Sequence, residues 1–460
     1  MQRSLTTRGP SVDTRAVTRW TRAQVTGLAP DDKSVRAAMK LAIPGPWSET
    51  GSTDAMVWGK CQGSGRTPYQ VSVDLTGPAF KCTCPSRKFP CKHGLALLLL
   101  WVEGGGVVQD AAEPADFAND WAADRAQRAT KAEARRSDAD EGPVDPEAQQ
   151  RRLARRLELM SAGAVDFERW LGDLYRHGLA AARQRPYSFW DDAAARLADA
   201  QLPGLATRVR ELPAALHGRA DWADVALVET GRWFAAVRAW QRRDELSATD
   251  LSNLRAFVGW AVPTDEVLAG ARLQDDWLED DWVVEGVHRT DEGRLQSQRT
   301  WVCGARTGER LVILDFAAGG AVLSVPQLVG SVVSTPLAAY PGSGVRRGLF
   351  AGEPVVARSD ERLAAPTGLR AACDRAASLL AENPFADRVP VALDAAIAVD
   401  EHGDALVVDG EGASLPLAAD VEPWELLART GGASVPMFCE LDDRHLRPLS
   451  IEVDGVLVGL

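Results

Sequence analysis

Three short segments near the start of the chain have the pattern of β-strands. Residues Tyr69 to Leu75 alternate strictly between apolar and polar side chains, and residues Ala55 to Cys61 and Ala79 to Cys84 have a similar extended character. Turns that contain glycine, serine or proline separate the segments, so the pattern predicts an antiparallel β-meander. Ahead of the meander, Asp31 is placed to cap a short helix that ends before Pro44.

A helix with apolar side chains on every side follows the meander. It extends from Lys92 to Val102, contains the run LALLLLWV and ends before Gly104. Because a helix that faces water on one side carries a polar stripe, we expect this helix to be buried on more than one side. Its run of 8 apolar residues is too short to cross a bilayer, which takes about 20. We therefore expect no membrane span.

The pattern changes twice farther along the chain. Between Gln150 and about Trp260 the apolar residues recur at helical spacing, as at Phe167, Trp170 and Leu171, and proline and glycine divide the segment into several helices. Beyond about Gln274, short apolar strands alternate with turns typical of hairpins. We predict an α+β multidomain fold with a small β-meander and N-terminal helix in residues 1–105, a charged helix and flexible linker in 106–149, a helical domain in 150–270 and an antiparallel β-rich domain in 271–460.

Charge is distributed unevenly over the 460 residues. The chain holds 52 basic and 64 acidic side chains, a net charge of −12, which disfavours a protein that coats nucleic acid or anionic membranes. Residues 1–105 hold 14 lysines and arginines against 7 aspartates and glutamates. Only this N-terminal quarter is basic, with an excess of +7.

Four residues within a stretch of 12 have the spacing of metal ligands. Cys82 and Cys84 lie two residues apart in a strand, so their side chains project from the same face. Cys91 and His93 have the same spacing, but residues two apart in a helix point about 200° apart. We therefore expect Cys91 in the turn before the helix and His93 in its first turn. Three thiolates and one imidazole complete a tetrahedral shell with no place for water, which predicts one structural Zn²⁺.

The arrangement CxC-x6-CxH, with an alternating strand before it and an apolar helix after it, resembles the SWIM-type zinc finger. The stretch from about residue 30 to 105 is similar to bacterial SWIM-finger proteins. The resemblance implies that Cys82, Cys84, Cys91 and His93 bind the zinc, and that the finger binds DNA or protein without catalysing a reaction. Bacterial relatives are often encoded near MoxR-type AAA+ ATPases and von Willebrand A-domain proteins, which implies a partner from one of these classes.

Basic side chains surround the four ligands, and two functions would account for them. They could contact nucleic-acid phosphates or a partner protein. They could instead stabilise the zinc–thiolate cluster, which carries a net charge of about −1 with three thiolates. Aromatic side chains for base stacking are few, namely Tyr69, Phe80 and Phe89. The candidate binding residues are Arg66, Lys81, Arg87, Lys88 and Lys92.

The remaining sequence signals concern location and catalysis. The first residues lack the apolar stretch of a secretory signal. The seven cysteines are spread thinly except for the cluster at 82–91, which is unlike a disulfide framework, so we expect a cytoplasmic protein. The histidines are scattered and match no hydrolase or protease motif. We predict a non-enzymatic recognition or adaptor protein that uses the finger for protein–protein interaction. The alternatives are DNA binding through the basic finger surface and, third, an enzyme with an unrecognised site in the C-terminal half.

Overall fold

The computed structural model describes residues 20–460 except for residues 64, 78, 87, 126, 128–145, 261, 292–294, 319–322, 324–326, 359–360 and 443. Within the segment predicted as a charged helix and flexible linker, 106–149, residues 126 and 128–145 lie outside the described residues, while one helix covers 116–125 and another begins at Pro146. The architecture is α+β, with an antiparallel meander first, helices in the middle and β-sheets at the C-terminal end. This confirms the predicted fold class.

The N-terminal part contains a four-stranded antiparallel sheet with strands in sequential order. The sequence predicted three of the strands and missed the first, because WSETGS has no apolar–polar alternation. It also predicted one helix before the meander where the structure has two. The elements are α1 (Arg22–Gly27), α2 (Asp32–Met39), β1 (Trp47–Ser52), β2 (Met56–Cys61), β3 (Tyr69–Asp74), β4 (Ala79–Cys82) and α3 (Lys92–Glu103).

Helix α3 lies between the sheet and the two preceding helices. It contacts α1 and α2 on one side and β2, β3 and β4 on the other, and every side chain from His93 to Trp101 is buried. The predicted burial on more than one side is confirmed. The opposite face of the sheet is covered by a further helix, α4 (residues 116–125), whose Trp121 packs with Met56 and Trp58.

The middle of the chain is a helical body with an aromatic core. Trp233 and Trp240 are almost fully buried there, with Leu171 and Leu254 around them. Helix α5 packs on α7 and α9, and α10 packs on α8 and α9. The helices are α5 (Pro146–His177), α6 (Leu179–Arg183), α7 (Tyr187–Asp199), α8 (Pro203–Ala215), α9 (Trp222–Gln241), α10 (Ala248–Val258) and α11 (Thr264–Gln274).

The C-terminal part contains two sheets that pack face to face. Gly286 lies at their contact, since a side chain there would collide with Phe438 and Leu449 of the second sheet. The first sheet has the strand order β11-β8-β5-β6-β7-β10-β9 and is antiparallel except for β7 and β10. Its strands are β5 (Trp282–Asp291), β6 (Leu295–Gly304), β7 (Arg310–Ala318), β8 (Val332–Val333), β9 (Leu337–Ala339), β10 (Arg346–Phe350) and β11 (Val356–Arg358).

The second sheet has the strand order β14-β13-β12-β15-β16-β17 and is antiparallel. Two helices pack against its strand β12. The elements are α12 (Leu369–Glu382), β12 (Val389–Val399), β13 (Ala405–Asp409), β14 (Ser414–Pro416), α13 (Pro423–Thr430), β15 (Val435–Asp442), β16 (His445–Val453) and β17 (Val456–Gly459).

A buried ion pair joins the two sheets. Arg299 on β6 donates two hydrogen bonds to the Glu440 carboxylate on β15, at 2.8 and 2.9 Å, and the Trp301 indole donates a third at 2.8 Å. Burial opposes ionisation of Glu440, but the hydrogen bonds from Arg299 and Trp301 outweigh it and lower its pKa. The carboxylate is thus held ionised inside the protein.

Polar contacts attach both the meander and the helical body to the C-terminal part. Arg125, which follows the meander, donates to Asp74 on β3 at 3.0 Å and to Glu353 in the β10–β11 connection at 3.0 Å. In the helical body, Arg208 and Arg232 donate to Asp387 at 2.7 and 3.0 Å. The C-terminal part is therefore the scaffold on which the other two lie.

We predict that Leu98→Asp destabilises the protein by more than about 4 kcal/mol, because a charged group would replace a fully buried side chain of α3. Chemical denaturation followed by circular dichroism measures the change. Ile43→Asp is the matched control, because Ile43 is 53% exposed and the same charge there stays in water. Equal stability of the two variants would contradict the burial of α3.

A second prediction concerns the pair between the sheets. Glu440→Ala leaves Arg299 without a buried partner and should cost about 3–5 kcal/mol, whereas Glu425→Ala removes an ion-paired carboxylate that is 59% exposed and should cost less than about 1 kcal/mol. Because folding lowers the pKa of Glu440, its stabilisation is present above the unfolded-state pKa of about 4.3 and is lost as the pH falls. Denaturant titrations between neutral and acidic pH would therefore show a smaller pH dependence in Glu440→Ala.

Candidate metal centre

The end of β4 and the start of α3 bring the four predicted ligands together. Cys82 is the last residue of β4, and Cys84 follows two residues later in the connecting loop. Cys91 is the N-cap of α3 with extended backbone angles, and His93 lies in the first helical turn. Cys91 and His93 have the local conformations that the sequence predicted. Cys84 was predicted in a strand but lies in the loop, because β4 ends at Cys82.

The distances within this group suit a single metal ion. The three sulfur atoms and one imidazole nitrogen all lie within 4.8 Å of one another, and Cys82 Sγ is 3.8 Å from His93 Nδ1. A tetrahedral zinc ion with Zn–S bonds of about 2.3 Å and a Zn–N bond of about 2.0 Å separates its ligand atoms by about 3.5–3.8 Å. In the described part of the chain this is the one group of three or more His, Cys, Asp or Glu residues placed to hold a metal. The ligand set fits structural Zn²⁺.

The start of α3 favours the thiolate that a metal needs. The hydrogen bond with the Cys82 thiol lowers the pKa of Cys91 to about 4, against the effect of burial, and His93 and the Gly94 backbone amide act in the same direction. The same hydrogen bond and burial raise the pKa of Cys82. A helix N-terminus stabilises negative charge, which favours the thiolate form of Cys91, and metal binding at such a site releases protons from its thiols.

Two neighbours of the ligands fix the geometry. The Tyr69 ring lies against the His93 imidazole, with 5.0 Å between the ring centroids and a tilt of 42°. A side chain at Gly94 would come within 2.7 Å of the Phe80 ring, so only glycine lets α3 approach β4 this closely. Neither structural role follows from the sequence pattern alone, although a glycine inside an otherwise apolar helix is a visible signal of a close contact.

The profile of the SWIM zinc finger family matches residues 69–101. This segment is a SWIM zinc finger. The predicted resemblance and the single structural zinc ion are thus confirmed, with Cys82, Cys84, Cys91 and His93 forming the site.

A second family match lies outside the SWIM finger. The SWIM-associated four-helix bundle domain matches residues 155–258, which correspond to most of the helical body from α5 to α10. Residues 259–460 lie outside both matches. No curated protein and no solved structure matches the chain significantly.

The basic residues predicted around the SWIM finger occupy different surroundings. Arg66 is exposed in the β2–β3 connection, and Lys92 is exposed at the first position of α3. Lys88 forms an ion pair with Asp31 at the start of α2, which lowers the pKa of Asp31 to about 2. Lys81 is exposed on β4. Arg87 lies outside the described residues.

The alternation of β4 separates Lys81 from the metal. Phe80 and Cys82 face α3, so Lys81 between them projects from the opposite face of the sheet. The described basic residues therefore do not form one continuous surface around the zinc. Arg66 in the β2–β3 connection and Lys92 at the start of α3 are both exposed. Neither forms an ion pair with a described residue.

Cys61 is a buried free thiol close to the site. Its side chain is fully buried on β2, and burial raises its pKa, while the nearby Lys92 acts in the opposite direction. It lies outside the group of four metal-ligating atoms, as expected for a cysteine that belongs to the core.

None of the helices in the described part of the chain is long and apolar enough to cross a membrane.

We predict that Cys84→Ser abolishes stoichiometric zinc binding and unfolds the SWIM finger while the helical body stays folded, because zinc contributes about 10 kcal/mol or more to such small sites. Zinc content by mass spectrometry and hydrogen exchange of α3 and α9 measure the two effects. Cys373→Ser is the control, since Cys373 is a half-buried free cysteine of α12. One equivalent of zinc in Cys84→Ser would contradict the ligand set.

Proposed function

We propose that this protein is a non-enzymatic recognition or adaptor protein of the cytoplasm and that its SWIM finger serves protein–protein interaction. The observation that carries the proposal is that the metal-binding and aromatic side chains of the finger are already used in contacts within the protein. The metal has four protein ligands, and the aromatic groups of the finger are used in internal contacts. The surface of the finger that a partner can contact is therefore rigid and carries a few exposed polar groups.

The ligand set supports a structural role for the metal. Catalytic zinc needs a position for water or substrate, and three cysteines with one histidine leave none. The two deeply buried carboxylates of the first and second C-terminal sheets, Glu285 and Glu440, are each paired with an arginine. Their pairing gives them a structural role as ion-pair partners, which supports the proposal that the protein is not an enzyme.

The aromatic contacts argue for a protein partner over a nucleic acid. Tyr69 packs on His93, and Phe80 is buried with its edge against Phe89. Base stacking needs an aromatic face that is free. With Lys88 paired to Asp31, the remaining positive charge of the finger is small beside the net charge of −12 on the chain.

An exposed apolar stripe in the helical body adds support for protein contacts. Leu227 and Phe234 are exposed on α9 and, being seven residues apart, lie on the same side of the helix. Val228, next to Leu227, is also exposed. Exposed apolar groups that form a contiguous patch are typical of protein-binding surfaces.

The partner classes follow from the resemblance to bacterial SWIM-finger proteins, and we propose an AAA+ ATPase or a von Willebrand A-domain protein. The cytoplasmic location has separate support, because none of the seven cysteines forms a disulfide and reduced cysteines persist in reducing compartments.

The test uses the zinc-loaded full-length protein and the double variant Arg66→Glu/Lys92→Glu. We expect the variant to bind purified candidate partners at least about tenfold more weakly, as measured by biolayer interferometry. Arg169→Glu/Arg176→Glu on α5 is the control, because it changes the charge equally outside the finger, and its affinity should change less than about threefold. Zinc content is measured in each variant.

The nucleic-acid alternative is tested with the same proteins. Fluorescence anisotropy with single- and double-stranded DNA and RNA is measured between about 50 and 200 mM salt. Salt-sensitive binding that only the finger variant loses would replace our proposal with nucleic-acid recognition.

A further inference from the structure

Two arginines lie over one tryptophan at the end of α10. Trp260 follows the C-terminal glycine of α10, and the guanidinium carbon of Arg156 on α5 is 3.9 Å from its ring centroid. The guanidinium carbon of Arg255 on α10 is 4.9 Å from the same centroid. Both side chains and the tryptophan are half-buried. The ring attracts each cation and holds both charges within about 9 Å of each other, where they repel.

Neither charge is neutralised by the described protein. Arg156 and Arg255 form no ion pair with a described residue, and the Nε atoms of both are buried without a hydrogen-bond partner. On the same helix α5, Arg169 and Arg176 are paired with aspartates one turn away. A half-buried cation without an anionic partner is less favourable than a paired one, so an external anion that binds here would interact favourably with both guanidinium groups.

Two more arginines extend this surface along α5. Arg152 is one helical turn before Arg156, about 6 Å along the axis, and Arg155 is adjacent to it. Both are exposed and form no ion pair with a described residue. Arg156 and Arg255 at the Trp260 ring, together with the neighbouring Arg152 and Arg155 of α5, are called the arginine corner.

We propose that the arginine corner binds an acidic peptide segment of a partner protein. Planar guanidinium groups bind carboxylates through paired hydrogen bonds, and two of them are held in place by Trp260, which reduces the entropy lost on binding.

A nucleic-acid strand fits less well. The Trp260 ring is covered by guanidinium groups and is not free to stack with a base. The arginine corner lies at one end of the helical body. The chain beyond residue 105 has 38 basic against 57 acidic residues. A nucleic-acid strand longer than the corner would therefore be repelled by the acidic surface around it.

The inference goes beyond the proposed role of the SWIM finger. None of the four arginines belongs to residues 69–101, and Arg156 and Arg255 lie within the SWIM-associated four-helix bundle domain. The corner would give the protein a second contact with a partner, separate from the zinc site.

The test uses fluorescence anisotropy of the zinc-loaded full-length protein with a fluorescein-labelled peptide of ten glutamates. We expect binding that weakens with salt, and at least about tenfold weaker binding by Arg156→Gln/Arg255→Gln. The matched control is Arg169→Gln/Arg176→Gln, which changes the net charge equally on the same helix α5 and should alter the affinity less than about twofold. If Arg156→Gln/Arg255→Gln does not fold, Arg152→Gln/Arg155→Gln replaces it, because both of its sites are exposed, and the expected loss is at least about threefold.

Three results would overturn the proposal. The first is no peptide binding by the unaltered protein at about 50 mM salt. The second is an equal loss of affinity in the corner and control variants, which would indicate non-specific attraction. The third is tighter binding of a ten-nucleotide single-stranded DNA that the corner variant loses, which would assign the surface to nucleic acid. The finger variant Arg66→Glu/Lys92→Glu should bind the peptide at near-unaltered affinity, so failure here is distinguishable from failure of the finger proposal.

Discussion

The coordination of zinc between the end of β4 and the start of α3 is the constraint on which the N-terminal part depends. The four strands of this sheet are four to six residues long, and a metal that links the sheet to α3 adds directly to the stability of so short-stranded a sheet. The metal holds the first turn of α3 against β4, where Gly94 lets the helix touch Phe80. Once α3 is fixed there, its apolar side chains fill the space between the sheet and helices α1 and α2, so the metal site and the core stabilise the same arrangement.

The sequence predicted the parts of this arrangement that are local. Helical geometry requires Cys91 to precede the helix that contains His93. The predicted strand brought Cys82 and Cys84 to one face, although β4 ends at Cys82 and Cys84 lies in the loop that follows. Strand β1 was missed, because its residues pair with β2 while their own pattern is not amphipathic. The wider assembly was also beyond sequence reasoning. Arg299 and Glu440 are 141 residues apart, and no periodicity indicates which carboxylate an arginine will meet across two sheets.

The surroundings of the basic residues show a second limit of sequence reasoning. A count of charges near the finger treats every lysine as free to bind an anion. In the structure, Lys88 is paired with Asp31, and Lys81 projects away from the ligands. In the helical body, the same count hides cations that have no acidic partner. Most arginines there have a nearby acid, whereas Arg156 and Arg255 meet over Trp260 although they are about 100 residues apart in sequence. Only the three-dimensional contacts distinguish a paired cation from one that still attracts an anion.

The contacts between the parts determine how these surfaces would reach a partner. Arg125 attaches the meander to the C-terminal part through Asp74 and Glu353, and Asp387 attaches the helical body to it through two arginines. Burial raises the energetic cost of separating such half-buried charges. A partner that contacts both the SWIM finger and the helical body would therefore meet two surfaces held on one scaffold. Two weak contacts at a fixed separation bind more tightly than either alone, which suits a protein whose individual sites are small.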